Sequence, residues 1–93
     1  SKTGETTKPQ IPLITSDANG AIRGIITDSI GAVIPGATVT ATKSDTEEEF
    51  SAETNENGEY LIENLPSGKY TVRAASNGFK DSVINNIPVR AKA

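Results

Sequence analysis

The chain has 93 residues, a formal net charge of −3 at pH 7, and no cysteine, histidine, methionine or tryptophan. This length fits one small domain with a thin core, since a chain of this size hides only about 60–65% of its unfolded surface. The lack of cysteine excludes a disulfide framework and thiolate chemistry. The lack of histidine removes the commonest metal ligand, and no apolar run approaches the roughly 20 residues that span a bilayer.

Residues 1–20 are predicted to be a flexible N-terminal linker or an expression remnant. Residues 1–10 carry nothing to bury, and such segments stay disordered. The apolar residues of 11–14 are compatible with a short edge strand, although Pro12 lacks the N–H that a ladder needs. We expect the folded domain over residues 21–93.

Short stretches of alternating apolar and polar residues follow, as expected for strands with one buried face. The clearest stretch begins after the Pro35-Gly36 turn, where Ala37, Val39 and Ala41 alternate with threonines. Asn57-Gly58 is typical of a β-hairpin turn, because both residues accept positive φ. Six or seven short strands at this spacing, with no helical period between them, predict an all-β sandwich.

The apolar members of these alternations form the predicted core. They are Ile22, Ile26, Ile34, Ala37, Val39, Ala41, Phe50, Tyr60, Ile62, Leu65, Tyr70, Val72, Ala74 and Phe79.

Acidic residues cluster in one part of the chain. Eight of the twelve lie within residues 45–63, and all but one of the nine bases lie outside residues 43–63. This distribution argues against nucleic acid binding, which needs clustered Lys and Arg. We expect a solvated face on two neighbouring strands, with an acidic docking surface as the alternative.

Five short motifs follow one another along the chain: Gly24-x-Ile26-x-Asp28, Gly31-x-x-Ile34-Pro35-Gly36-Ala37-x-Val39, Thr54-Asn55-x-x-Gly58-x-Tyr60, Asn64-Leu65-Pro66-x-Gly68-x-Tyr70-x-Val72 and Gly78-Phe79-Lys80. Their order and spacing resemble the carboxypeptidase regulatory-like family over about residues 21–89. That family is similar to the B-type repeats of the collagen adhesin Cna and to transthyretin-like domains.

The resemblance implies a seven-stranded, Ig-like Greek-key sandwich of the prealbumin type, used as an accessory module in exported proteins. Residues 21–24, 36–40 and 78–80 also resemble stretches of the N-terminal domain of bacterial TonB-dependent outer-membrane receptors. This resemblance implies a place in the bacterial envelope, at the outer membrane or in the periplasm, or on the cell surface. It implies no direct membrane insertion by this segment.

Two kinds of chemical site are weighed and not expected. Asn55, Asn57 and Glu59 place oxygens at alternate positions, as calcium loops do, but a full ligand set with a distal bidentate Glu is missing. Related adhesin repeats form a Lys–Asn isopeptide bond from a lysine on the first strand. Here that strand carries Arg23, whose guanidinium stays protonated. We expect no cofactor, no metal and no cross-link.

Catalysis is not expected either. Transthyretin-like hydrolases use histidines and a distinctive C-terminal motif that this chain lacks. No spacing indicates an activated nucleophile. The sequence therefore predicts no catalytic residue and no enzyme.

The predicted function is that of a non-catalytic accessory module, acting as a spacer or as a protein-docking domain. Its partners would be neighbouring domains of the same polypeptide or surface proteins. The candidate contact residues are two apolar loop residues and three acids, namely Ile30, Val33, Glu47, Glu48 and Glu49. The alternative is a carbohydrate- or surface-ligand-binding module. Related folds stack sugars on exposed aromatics, whereas the four aromatics of this chain are expected to be buried.

Overall fold

A computed structural model describes residues 10–17, 20–28 and 30–90 of the chain. Its strands are β1 (Gln10–Asp17), β2 (Ala21–Thr27), β3 (Thr38–Lys43), β4 (Glu49–Glu53), β5 (Glu59–Ile62), β6 (Gly68–Ala75) and β7 (Ser82–Val89). These described ranges contain no helix, and hence none that could cross a membrane. The all-β prediction is confirmed.

The strands form two antiparallel sheets with one core between them. The smaller sheet has the order β1-β2-β5, and the larger has the order β4-β3-β6-β7. Strand alternation explains the division between core and surface, because successive side chains point to opposite faces. On β3, for example, Val39 and Ala41 have no exposed surface, whereas Thr38 is exposed.

The predicted core is largely confirmed. Twelve of its fourteen members are buried, and the other two, Phe50 and Phe79, are half-buried and pack against the rest. Phe50 lies on an edge strand, where its ring meets Tyr70 edge to face with centroids 6.2 Å apart. Val89, at the end of β7, completes the core and was not predicted.

Strand β1 lies inside the segment that was predicted to be a linker. It pairs with β2 from Leu13↔Ile25 to Asp17↔Ala21, and Pro12 falls where the register is interrupted. An edge strand tolerates proline at such a point, since no ladder N–H is needed there. The structure thus differs from the linker prediction for residues 10–17. Residues 1–9, also predicted as linker, lie outside the described ranges.

Residues 21–90 contribute six strands, β2 to β7. A seven-stranded Greek-key connectivity for this domain stays a prediction. The hairpin predicted at Asn57-Gly58 is wrong, because the flanking strands β4 and β5 belong to different sheets. The turn carries the chain from one sheet to the other.

The loops gather at two ends of the sandwich. At one end lie the β2–β3, β4–β5 and β6–β7 connections, because Thr38 at the start of β3 pairs with Glu53 and Ala75. We call this the β2–β3 end. At the opposite end, the β3–β4 end, Lys43 pairs with Tyr70 and its N–H donates to the Glu48 carbonyl.

Candidate functional site

The β2–β3 loop holds two exposed apolar side chains in a fixed frame. The Asp28 carboxylate accepts hydrogen bonds from the N–H groups of Ile30, at 3.0 Å, and Ala32, at 2.9 Å. Gly31 has a φ of 93° and donates to the Asp28 carbonyl at 3.1 Å. The loop therefore resembles an Asx turn closed by its own backbone. It leaves Ile30 87% exposed and Val33 45% exposed. We call these two residues the apolar tip.

The base of this loop rests on the β4–β5 turn. The Ile34 N–H donates to the Ile26 carbonyl at 3.0 Å, and the Ile26 N–H donates to the Gly58 carbonyl at 2.8 Å. A Cβ on Gly58 would lie 2.8 Å from the Ile26 oxygen and 2.9 Å from the Val33 Cβ. The backbone of the β4–β5 turn thus packs directly against the backbone of the β2–β3 loop. This contact holds the base of the loop that carries the apolar tip.

Thr54 ties the Pro-Gly turn to the end of β4. Its buried hydroxyl donates to the Ile34 carbonyl at 2.6 Å and accepts from the Ala37 N–H at 2.8 Å. Its backbone N–H donates to the Ala37 carbonyl, and its carbonyl accepts from the Gly36 N–H. This role was not predicted. One feature of the sequence could have indicated it: Thr54 is a polar residue on the same side of the strand as Phe50 and Ala52, the side predicted to face the core.

The three candidate acids lie far from the apolar tip. Glu47 and Glu48 are in the β3–β4 loop, Glu49 begins β4, and all three are exposed. Glu47 has a φ of 64° and donates its N–H to the Lys43 carbonyl at 2.7 Å. The five candidate contact residues therefore form two separate surfaces, one at each end of the sandwich.

The acidic stretch continues along β4 and β5. Glu49 and Glu53 on β4 and Glu59 on β5 are exposed. These strands are the neighbouring edges of the two sheets, not partners in one sheet. The acids therefore line one side of the sandwich.

One lysine is buried beside this acidic side. Lys43 is only 8% exposed, and its Nζ lies 2.6 Å from the Asp45 Oδ1. The hydrogen bond from Lys43 lowers the pKa of Asp45 below its ordinary value, although desolvation acts in the opposite direction. A Cβ on Gly68 would lie 2.9 Å from the Lys43 Cε, so the lysine stem packs directly beneath that glycine.

A groove of about 520 Å³ with a mixed polar and apolar lining lies beside β2 and β5. Arg23, Glu53, Asn55 and Glu59 bring polar or charged groups to its lining. Tyr60 also lines it, and its hydroxyl is buried with no hydrogen-bond partner in the described part of the chain. Burial raises the pKa of Tyr60 to about 12.

Two of the three side chains weighed as calcium ligands, Asn55 and Glu59, stabilise the β4–β5 turn instead. The Asn55 Oδ1 accepts from the N–H groups of Asn57 and Glu59, at 2.8 and 3.0 Å. The Asn55 Nδ2 donates to the Glu59 carboxylate at 3.2 Å. Within residues 10–17, 20–28 and 30–90, no three His, Cys, Asp or Glu side chains come together as a metal site.

The family model described as the carboxypeptidase regulatory-like domain matches residues 21–93, which is most of the sequence. Comparisons with curated proteins and with solved structures gave no significant match. The matched range contains the strands β2 to β7, the apolar tip and the acidic side. The chain belongs to the carboxypeptidase regulatory-like domain family.

Proposed function

We propose that this domain is a non-catalytic accessory module of a larger exported protein, and that it docks onto a neighbour through the apolar tip. Domains of the family are non-catalytic β-sandwich modules of larger proteins. The observation that carries the docking role is the exposure of Ile30, at 87%, on a loop held by hydrogen bonds to Asp28. Loops positioned by a rigid scaffold are where binding residues concentrate.

The partner would present an apolar surface. Full burial of one isoleucine side chain is worth about 1.5–3 kcal/mol, and Val33 adds to the area beside it. A neighbouring domain of the same polypeptide, or another surface protein, fits this chemistry. A location in the bacterial envelope or on the cell surface rests on the resemblance to the N-terminal domains of outer-membrane receptors.

Thiol labelling tests the docking role. The chain has no cysteine, so the variants Ile30→Cys and Ser44→Cys each place one thiol in the domain. Ser44 is exposed at the β3–β4 end and serves as the matched control. We expect the Ile30→Cys thiol to react several-fold more slowly in the larger polypeptide than in the 93-residue chain. The Ser44→Cys thiol should react equally in both.

If the Ile30→Cys thiol reacts as fast in the larger polypeptide as in the 93-residue chain, docking of the apolar tip onto a neighbouring domain is overturned, and the domain is a spacer without such a contact. The other candidate function, carbohydrate or surface-ligand binding, is favoured by the groove beside β2 and β5, to which Arg23, Glu53 and Glu59 bring charged groups. Among the described residues, no exposed aromatic ring is available for a sugar to stack on, since Tyr60 and Tyr70 are buried and both phenylalanines are half-buried. Saturable sugar binding, with amide shifts confined to the groove, would replace the docking proposal.

A further inference from the structure

Four strands lie at sheet edges, where unpaired N–H and C=O groups attract another strand. They are β1 and β5 in the smaller sheet and β4 and β7 in the larger sheet. Natural proteins blunt such edges with bulges, prolines, short strands or charges. The four edge strands differ in which of these protective features they have.

Two edges, β7 and β1, are interrupted in their pairing, and a third, β5, is short. In β7 one extra residue enters between Ile84 and Ile87, Asn86 has a φ of 63°, and Pro88 follows. In β1 the register is broken between Gln10 and Leu13. Strand β5 has only four residues, and its first peptide groups are already bonded to the β4–β5 turn.

Strand β4 is regular. Its five residues pair with β3 in unbroken register from Thr42↔Glu49 to Thr38↔Glu53. On either side of the strand, the Glu48 carbonyl accepts from Lys43 and the Thr54 N–H donates to Ala37. In an antiparallel pair, every second residue directs its N–H and C=O groups toward the partner strand. The N–H and C=O groups of Glu49, Ser51 and Glu53 therefore point away from β3. No described strand pairs with that side of β4.

Strand β4 carries charge along its free edge. Glu49 and Glu53 flank the exposed Ser51, Glu47 and Glu48 precede the strand, and residues 44–63 contain no lysine or arginine. The β4 edge of a second copy would bring the same acids opposite these, and like charges facing each other oppose pairing. A basic strand would instead be attracted.

We infer that β4 is a docking edge for an extended basic peptide segment of another chain or domain, which adds as a strand beside Glu49–Glu53. Backbone hydrogen bonds to a free sheet edge are an established mode of peptide recognition. The acids would select the partner by charge. This surface lies along the side of the sandwich and does not depend on the apolar tip, so either proposal can fail alone.

Titration of the isotope-labelled 93-residue chain with a short, blocked peptide of alternating Lys and Thr tests the inference. We expect saturable binding, with slower amide exchange at Glu49, Ser51 and Glu53. Affinity should fall as salt is raised. The Glu49→Lys/Glu53→Lys double variant should no longer bind this peptide. It should instead bind a second peptide of the same length with alternating Glu and Thr.

Ser51→Pro separates strand addition from mere charge attraction. It removes a free-edge N–H without changing charge, whereas the matched control Ser51→Ala keeps that N–H. We expect Ser51→Pro to abolish peptide binding and Ser51→Ala to retain it, with circular dichroism confirming that each variant folds. Should Ser51→Pro fail to fold, the amide exchange of the parent chain decides the question, because strand addition slows exchange at Glu49, Ser51 and Glu53 and charge attraction alone does not. Three results would each overturn the inference: no saturable binding, binding that is unchanged in folded Ser51→Pro, or slowed exchange at residues outside β4. The acids would then serve only to prevent aggregation through this edge.

Discussion

The hydroxyl of Thr54 donates a hydrogen bond of 2.6 Å to the carbonyl oxygen of Ile34, and so connects the end of β4 to the loop that carries the apolar tip. The Thr54 hydroxyl oxygen in turn accepts a hydrogen bond from the Ala37 N–H at 2.8 Å. A single 5% exposed side chain thus satisfies two backbone groups of the Pro-Gly turn.

Thr54→Val should destabilise the domain by about 1–3 kcal/mol, because the near-isosteric change leaves a buried acceptor and a buried donor without a partner. Urea unfolding measures this change. The control Thr38→Val, at an exposed position on β3, should stay within about 0.5 kcal/mol of the parent protein. Equal losses in the two variants would contradict the role assigned to the hydroxyl.

Gly58→Ala should cost more than Gly36→Ala. The two glycines have nearly the same φ, 75° and 74°, so the left-handed backbone costs each variant about 1–2 kcal/mol. A Cβ at Gly58 would also meet the Ile26 oxygen at 2.8 Å, whereas at Gly36 nothing lies within 4 Å. Thermal or urea unfolding of both variants isolates the steric difference, and a larger loss for Gly36→Ala would contradict the packing described.

Tyr60→Phe and Tyr70→Phe should change stability in different ways. The Tyr60 hydroxyl is buried without a partner among the described residues, so its removal should leave stability unchanged or raise it by about 1 kcal/mol. The Tyr70 hydroxyl donates to the Pro66 carbonyl at 2.6 Å, and its removal should cost about 1 kcal/mol. A clear loss of stability in Tyr60→Phe would mean that this hydroxyl has a partner in solution.

Alkaline pH should destabilise the protein through Tyr60. Burial raises the pKa of Tyr60 to about 12 in the folded state, above the ordinary value of 10.0 that applies in the unfolded chain. The unfolded chain therefore loses this proton first, and the free energy of unfolding falls as pH rises from about 10 to about 12. The urea midpoint should therefore fall between about pH 8 and about pH 11, and it should fall less in Tyr60→Phe than in the parent protein. An equal fall in both proteins would show that Tyr60 is not the group responsible.

Local pattern was enough to predict the faces of the strands. Val39, Ala41, Val72 and Ala74 are buried as predicted, because alternation along a strand decides which side chains point inward. The same reasoning overestimated the burial of Phe50, since an edge strand lacks a neighbour on one side to cover its ring. Pattern alone does not show whether a strand is central or at an edge.

The turn chemistry was predicted less well. Asn57-Gly58 was read as a hairpin, and Gly58 does have a positive φ, yet the flanking strands lie in different sheets. Strand pairing depends on long-range contacts that a dipeptide does not encode. Likewise, the hydrogen bonds of Thr54 form only once two distant segments, residues 34–37 and the end of β4, have come together.

By itself, the sequence determined the all-β character, most of the core and the family, because alternation, turn residues and motif spacing are local properties. It also identified Ile30 and Val33 as loop residues more apolar than solvation requires. Only the tertiary structure decided that these two lie at the opposite end from Glu47, that the Tyr60 hydroxyl has no partner among the described residues, and that β4 is a free edge in regular register. Each of these depends on which distant segments become neighbours, and that is settled by the packing of the two sheets on one shared core.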